Sequence, residues 1–277
     1  MQKDYIYLSG KIIDENEAAI LAKDQGLLFG YGLFETLRVY NGIPFMLREH
    51  LERLSTSLQI MEIDFPSLHA LEAEVNRFIH YIQLYHGVLR ITITKGFKEP
   101  VVLMTHRAVG YDVSSYDKGF SLKTSTIKRN ASSPLTSLKT LNYMDSLIAK
   151  KDAVKAGFDE ALFINTDNLV SECSASNIFF IKDKKIYTPS VKCGLLNGII
   201  RELLIKDLAK ELDLKVIEGE YPLNALYQAH EIFITNSVIQ IMPIVKIDHQ
   251  IIGNGSPGSI TKKIINYYAK YIEKKCS

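Results

Sequence analysis

Apolar and polar positions in the first hundred residues alternate between a strand period and a helix period. Tyr5 to Leu8 and Ile12 to Ile13 flank Ser9-Gly10 and read as a hairpin. Phe34 to Tyr40 and Ile43 to Leu47 are apolar and rich in β-formers, and Asn41-Gly42 between them is a strong hairpin signal. From Glu49 to Ile60 the period lengthens, and Leu51, Leu54, Leu58 and Ile60 recur at near-helical spacing. Pro66 stands at the favoured first position of a second helix, expected to run to about Leu84 with Leu68, Leu71, Val75 and Ile79 on one face. Val88 to Thr94 and Val101 to Thr105 then read as paired strands.

Gly110 to Gly119 is polar and without periodicity, which marks it as the best linker in the chain. A strand is expected at about Phe120 to Thr126, then a polar segment from Lys128 to Ser137. A helix follows from roughly Tyr143 to Ala156, closed by Gly157. Short strands are predicted at Glu160 to Asn165, Val170 to Ser171, Ile178 to Ile181 and Ile186 to Tyr187. A helix starts near Gly198 and carries Leu203, Leu204 and Leu208. Strands at Ile232 to Thr235 and Ile239 to Val245 precede a closing amphipathic helix, Ile260 to Ile272. The pattern predicts an α/β (α+β) chain of two domains. Residues 1–113 form a small N-terminal domain and 114–119 a linker. Residues 120–277 form a larger C-terminal domain that includes Lys139.

Composition narrows the function classes. The 277 residues are 47% hydrophobic and 23% charged, in the range of globular proteins. Thirty-three basic residues nearly cancel 31 acidic ones, so no global field points to nucleic acid or an anionic membrane surface. An anionic ligand must therefore meet locally placed cations. Cys173, Cys193 and Cys276 are odd in number and widely spaced, which suggests neither a disulfide framework nor a zinc site. No run approaches the ~20 apolar residues of a membrane helix, and Met1 to Gly10 lacks a secretory pattern. The expectation is a cytoplasmic protein.

Several residues are candidates for chemistry. Lys139 is flanked by Ser137, Leu138, Thr140 and Leu141 just ahead of a helix, unlike the clustered lysines at 150–151 and 184–185. A lysine in apolar surroundings loses hydration of its ammonium form and becomes a competent amine nucleophile, although lone lysines mostly snorkel to water. Glu172, among small polar residues between two apolar strands, is either a turn residue or a buried carboxylate facing a cation. Gly198-Ile199-Ile200 begins a helix, where free N–H groups attract anions, and Thr235-Asn236-Ser237 follows a strand and offers further donors. Arg53 lies on the helix of Leu51 and Leu54, where its ordinary reading is a solvent-facing charge. His50 reads as a hydrogen-bonding helix residue. Gly26, Gly30 and Gly32 fit neither a dinucleotide fingerprint nor a P-loop. The seven histidines form no metal-like cluster, and no GxSxG is present.

Taken together, five ordered segments resemble one family over nearly the whole chain. Tyr31 to Arg38 with Glu49 to Leu54, Lys139 to Tyr143, residues 171–190, residues 195–204 and residues 234–244 resemble the signatures of fold-type IV pyridoxal-phosphate enzymes. This is the class IV aminotransferase family, whose fold is like that of D-amino-acid aminotransferase. It includes branched-chain aminotransferases, D-amino-acid aminotransferases and 4-amino-4-deoxychorismate lyases. The resemblance implies pyridoxal 5′-phosphate (PLP) as cofactor and Lys139 as the Schiff-base lysine that shuttles protons. It implies that Glu172 pairs with the pyridine nitrogen and that Tyr143 partners the ring oxygen. Arg53, the N–H groups of Ile199 and Ile200, and Ser237 would hold the phosphate. Ile200 departs from the threonine common in the aminotransferases, which leaves only backbone contact there.

Residues 34–45, 139–143 and 235–244 most resemble the lyases, which release pyruvate and 4-aminobenzoate for folate biosynthesis. Phe34 replaces a tyrosine that D-amino-acid aminotransferases use for the substrate carboxylate. The Lys95–Pro100 loop departs by being shorter than in many lyases. The two carboxylates of such a substrate require specific cations, and Arg38 and Arg90, each in an apolar strand, are the candidates. An internal ion pair with a residue such as Glu35 is the alternative for either. The resemblance also implies a homodimer. A branched-chain or D-amino-acid transaminase is the rival activity, and a non-catalytic PLP-binding protein is the rival of another class.

Overall fold

The hairpin signals of the first hundred residues fold into one six-stranded sheet in the computed structural model, which describes residues 4–65 and 67–277. Contacts divide the chain into two units. The first comprises Met1–Gly110, Leu138–Asn142 and Lys274–Ser277. In chain order it contains β1 (Tyr5–Leu8), β2 (Lys11–Asp14), α1 (Gln25–Phe29), β3 (Gly32–Tyr40), β4 (Ile43–Pro44), α2 (Leu47–Ile60), α3 (Leu68–Tyr81), β5 (Gly87–Thr94) and β6 (Val101–Arg107). The antiparallel order is β2-β1-β6-β5-β3-β4.

Leu47, expected at the end of a strand, instead begins α2. Pro44 has no N–H to extend a ladder, and Met46 takes a left-handed conformation (φ 55°) that turns the chain into the helix. Pro66, expected to open the next helix, lies outside the described residues. That helix starts at Leu68, with the Ser67 hydroxyl accepting from the Ala70 N–H.

Alternation along β3 places Leu33, Glu35, Leu37 and Val39 on one face and Phe34, Thr36, Arg38 and Tyr40 on the other. The first face joins Leu51, Leu54 and Leu58 of α2 and Val75 and Phe78 of α3 in a buried core. Helical spacing and strand alternation thus converge on one apolar layer.

Leu138–Asn142 is grouped with this first unit, whereas the expected boundary assigns Lys139 to the C-terminal domain. The reason is backbone pairing. The Phe34 N–H donates to the Lys139 carbonyl (2.9 Å), the Leu141 N–H donates to the Gly32 carbonyl (3.0 Å), and Leu33 and Thr140 form a bridge. Gly32 permits this approach, since a Cβ there would meet the Ile93 carbonyl oxygen at 2.7 Å and Leu141 at 2.8 Å.

The second unit comprises Tyr111–Ser137 and Tyr143–Glu273. It contains α4 (Ser114–Lys118), β7 (Phe120–Thr124), α5 (Met144–Lys155), β8 (Glu160–Ile164), β9 (Val170–Cys173), β10 (Asn177–Lys182), β11 (Lys185–Pro189), α6 (Ile199–Leu203), α7 (Ala209–Glu211), β12 (Val216–Gly219), α8 (Leu223–Tyr227), β13 (Glu231–Asn236), β14 (Gln240–Ile247), β15 (Gln250–Ile251) and α9 (Ser259–Lys275). Its nine-stranded sheet runs β12-β11-β10-β13-β14-β7-β8-β9, with β15 on β14. Part of the expected linker is α4. Ahead of it the Asp112 carboxylate accepts from the Ser114 N–H, and the Tyr116 hydroxyl donates to the Ile239 carbonyl (3.0 Å). Leu204–Leu208 joins α6 to α7 through a π-helical turn. Among the described residues, no helix is long and apolar enough to cross a membrane.

Candidate active site

In the first unit, the polar-side face of β3 and β5 gathers cations around one aromatic ring. The register pairs Phe34 with Thr92 and Thr36 with Arg90, so Phe34, Arg38 and Arg90 share that face. The Arg90 guanidinium carbon lies 3.7 Å from the centre of the buried Phe34 ring. Lys139 Nζ lies 4.3 Å from the same centre. Arg90 Nε also donates to Thr92 Oγ1 (3.2 Å), and Arg38 stacks at 4.9 Å from the Tyr40 ring. Arrays of this kind hold cations over aromatic faces while keeping their hydrogen-bonding edges available to anions.

The opposite face of β3 carries Glu35, whose side chain is 1% exposed. It pairs with two residues of α2, three positions apart on one helix face. Arg53 donates from Nε to Oε1 (2.8 Å) and from Nη2 to Oε2 (2.6 Å), and His50 Nδ1 lies 2.7 Å from Oε2. Burial works against the charged carboxylate. The Arg53 and His50 charges and hydrogen bonds outweigh it and bring Glu35 down to about 2. Burial likewise lowers His50, opposed by Glu35, and because the carboxylate can only accept, Nδ1–H donates.

A carboxylate whose folded pKa is depressed contributes stability above its unfolded value, and loses it as pH falls through the folded one. We expect the thermal midpoint to fall as pH drops from about 4.5 to about 2. Glu35→Gln should flatten that part of the profile, and an unchanged slope would contradict this account of the pair.

The second unit supplies a separate set. Glu172 sits on β9, not in a turn, and its side chain is 12% exposed. Arg129 Nη2 lies 3.4 Å from Oε1, and the Leu196 N–H donates to Oε2 (3.2 Å). Arg129 is itself held by a bond to Ser146 Oγ (2.8 Å) and by the Phe163 ring (3.9 Å). Tyr143, at the start of α5, donates its hydroxyl to the Ser174 carbonyl (2.7 Å). Burial, then the charges of Glu172 and Glu160, push its phenol pKa up, so the hydroxyl keeps its proton. Ser174 Oγ in turn donates to the buried Glu160 (2.5 Å).

Two backbone segments complete this unit's set. Ile199 and Ile200 are buried, so their side chains pack inward and their peptide groups are what a ligand can use. Gly198 opens α6, and a Cβ there would fall 2.2 Å from Asn177 Oδ1, whose amide nitrogen donates to the Leu196 carbonyl (2.8 Å). Asn236 shapes the turn that holds Ser237. Its Oδ1 accepts from the N–H groups of Val238 (2.8 Å) and Ile239 (2.7 Å), and its amide donates to the Ala175 carbonyl (2.9 Å).

The structure thus brings Lys139 and Arg90 together at Phe34, places Arg38 further along the same face of β3 against Tyr40, and gives Arg53 a buried carboxylate partner instead of a purely solvent-facing position. Glu35, offered as a partner for Arg38 or Arg90, pairs with Arg53 and His50. Sequence reasoning missed Arg129 and Glu160. Arg129 lies in a polar run without periodicity, but an acid opening the apolar strand 160–164 is a signal that could have marked Glu160.

Each unit carries groups that suit a phosphorylated pyridine aldehyde: a lysine amine and an arginine in the first, and in the second a largely buried acid and backbone N–H groups beside a glycine that leaves no room for a Cβ. The amino-transferase class IV model matches residues 32–247. The chain belongs to the class IV aminotransferase family. It is 35% identical over 271 residues to a putative branched-chain-amino-acid aminotransferase of Methanocaldococcus jannaschii, covering 94% of this chain and 93% of that one. It is 31% identical to the aminodeoxychorismate lyase of Bacillus subtilis, over 97% and 94% of the two chains. Among solved structures, the T.th. branched-chain amino acid aminotransferase with pyridoxamine 5′-phosphate superposes with a TM-score of 0.90 at 27% identity, covering 98% of this chain and 95% of that one. The fold is fold type IV, as the sequence segments implied, and the protein is a PLP-dependent enzyme of this family.

Proposed function

We propose that the enzyme is a 4-amino-4-deoxychorismate lyase, releasing pyruvate and 4-aminobenzoate. The observation that carries this reading is the placement of Arg38 and Arg90 on the face of β3 and β5 that also presents Phe34 and Lys139. Two guanidinium groups on the face that presents the reactive amine suit a substrate with two carboxylates, each a partner for a fork of N–H donors. Phe34 supplies an apolar surface for the substrate ring and no hydroxyl that would compete for a carboxylate.

When bound, PLP withdraws electrons from the amine-bearing carbon of the substrate. The chain's residues do the rest. Arg53, the N–H groups of Ile199 and Ile200, and Ser237 hold the phosphate. Glu172, flanked by Arg129 and the Leu196 N–H, keeps a proton at the pyridine nitrogen. Tyr143 keeps its own proton and would turn it from the Ser174 carbonyl to the ring oxygen. Arg38 and Arg90 fix the substrate so that Lys139 Nζ takes the proton from the amine-bearing carbon. The ring–oxygen bond to the enolpyruvyl group then breaks, the released enolate takes up one proton at its methylene carbon to become pyruvate, and aromatisation of the ring drives the step. A cytoplasmic homodimer acting on a small anionic substrate belongs to the same proposal.

Identity with the Methanocaldococcus jannaschii relative favours a second reading, amino transfer with a branched-chain amino acid. Incubation with aminodeoxychorismate separates the two. The lyase releases pyruvate and 4-aminobenzoate in equal amounts with no keto acid present. Amino transfer seen only with an added keto acid would reject the lyase.

A further inference from the structure

We propose that Glu35 and His50 are positioning residues for Arg53, forming a buried clamp that sets how tightly the enzyme holds the phosphate of its cofactor. This rests on the assignment of Arg53 to that phosphate. Glu35 and His50 side chains are each 1% exposed, and the Arg53 side chain is 17% exposed. The Glu35 carboxylate takes one edge of the guanidinium, at Nε and Nη2, with bonds of 2.8 and 2.6 Å. Two parallel bonds to one planar group fix both its position and the tilt of its plane. His50 Nδ1, 2.7 Å from Oε2, holds the carboxylate from the other side. An arginine held in this way surrenders its rotamer freedom on folding, so that freedom is not lost again when an anion binds.

Charge and orientation act in opposite directions here. The Glu35 charge, taken alone, offsets that of Arg53 and weakens the attraction for a phosphate dianion. Orientation by the clamp strengthens it. The structure favours orientation, because Glu35 lies on the buried core face of β3 and binds Arg53 edge-on.

The test compares PLP with pyridoxal, which lacks the phosphate, as ligands of cofactor-stripped full-length enzyme, with ³¹P spectra of the PLP-loaded forms. Glu35→Gln should lower the PLP-to-pyridoxal affinity ratio on the order of tenfold, the scale expected when a group that orients a binding residue is lost. Pyridoxal affinity should stay unchanged and the phosphorus resonance should shift. His50→Gln should lower the ratio less. Glu35→Asp, which keeps the charge but shortens the reach, should also lower it, and covers the case in which Glu35→Gln does not fold. Arg53→Ala sets the full value of the phosphate contact. An equal or higher ratio in the Glu35 variants, with Arg53→Ala lowering it, would overturn the clamp and leave the assignment of Arg53 standing. An unchanged ratio in Arg53→Ala would overturn the assignment itself.

Discussion

Replacing Lys139 with alanine is expected to abolish turnover, with kcat falling by at least roughly a thousandfold, within the range that positioned proton transfer contributes. The same variant should lose the visible absorbance of lysine-bound cofactor. The geometry explains why no neighbour can substitute. Lys139 is tied to β3 through its own carbonyl, which accepts from Phe34, and through the Leu141 N–H, which donates to Gly32. Its Nζ lies 4.3 Å from the centre of the Phe34 ring, which Arg90 also contacts. Arginine stays protonated in proteins and cannot act as the base. Absorbance and activity measured on the purified variant check this, and a variant with full activity would remove the mechanism. A wild-type protein that shows the band with no turnover on any substrate would instead support a non-catalytic binder.

The second large effect is expected at Glu172. Glutamine there retains an oxygen that can accept from Leu196 but removes the negative charge that faces Arg129 and that is proposed to pair with the pyridine nitrogen. Loss of one preorganised electrostatic partner of this kind lowers kcat by roughly a hundredfold to a thousandfold. PLP should still bind, since the residues proposed to hold its phosphate, Arg53, Ser237 and the Ile199–Ile200 backbone, would grip a different part of the molecule. Steady-state kinetics alongside a PLP titration separates the two quantities. Unchanged kcat, or complete loss of PLP, would show that Glu172 acts otherwise than by sustaining a proton on the ring.

The sequence was informative where one side chain's chemistry coincided with a strong local pattern. Alternation in 34–40 with Asn41-Gly42 identified the β3–β4 hairpin, and the spacing of Leu51, Leu54 and Leu58 identified α2. Short elements with few apolar residues, such as α1, β12 and α8, gave no comparable signal, because tertiary contacts rather than periodicity hold them. Lys139 to Tyr143 was identifiable by motif, yet the grouping of Leu138–Asn142 with the first unit depends on backbone pairing with β3, which a linear reading does not show. The same holds for the site. Glu172 and Arg53 are candidates that their segments alone single out. Their partners Arg129 and Glu35 lie 43 and 18 positions away, and only the folded register brings each pair together.

The central claim, that Lys139 is the residue holding the cofactor, is tested most directly by borohydride reduction of the PLP-loaded enzyme followed by proteolysis and mass spectrometry. Reduction fixes the cofactor to whichever lysine carries it. The account predicts the phosphopyridoxyl label on the peptide containing Lys139, and its absence from the Lys139→Ala variant. Label on another lysine in the wild-type enzyme, or no label despite bound PLP, would contradict it.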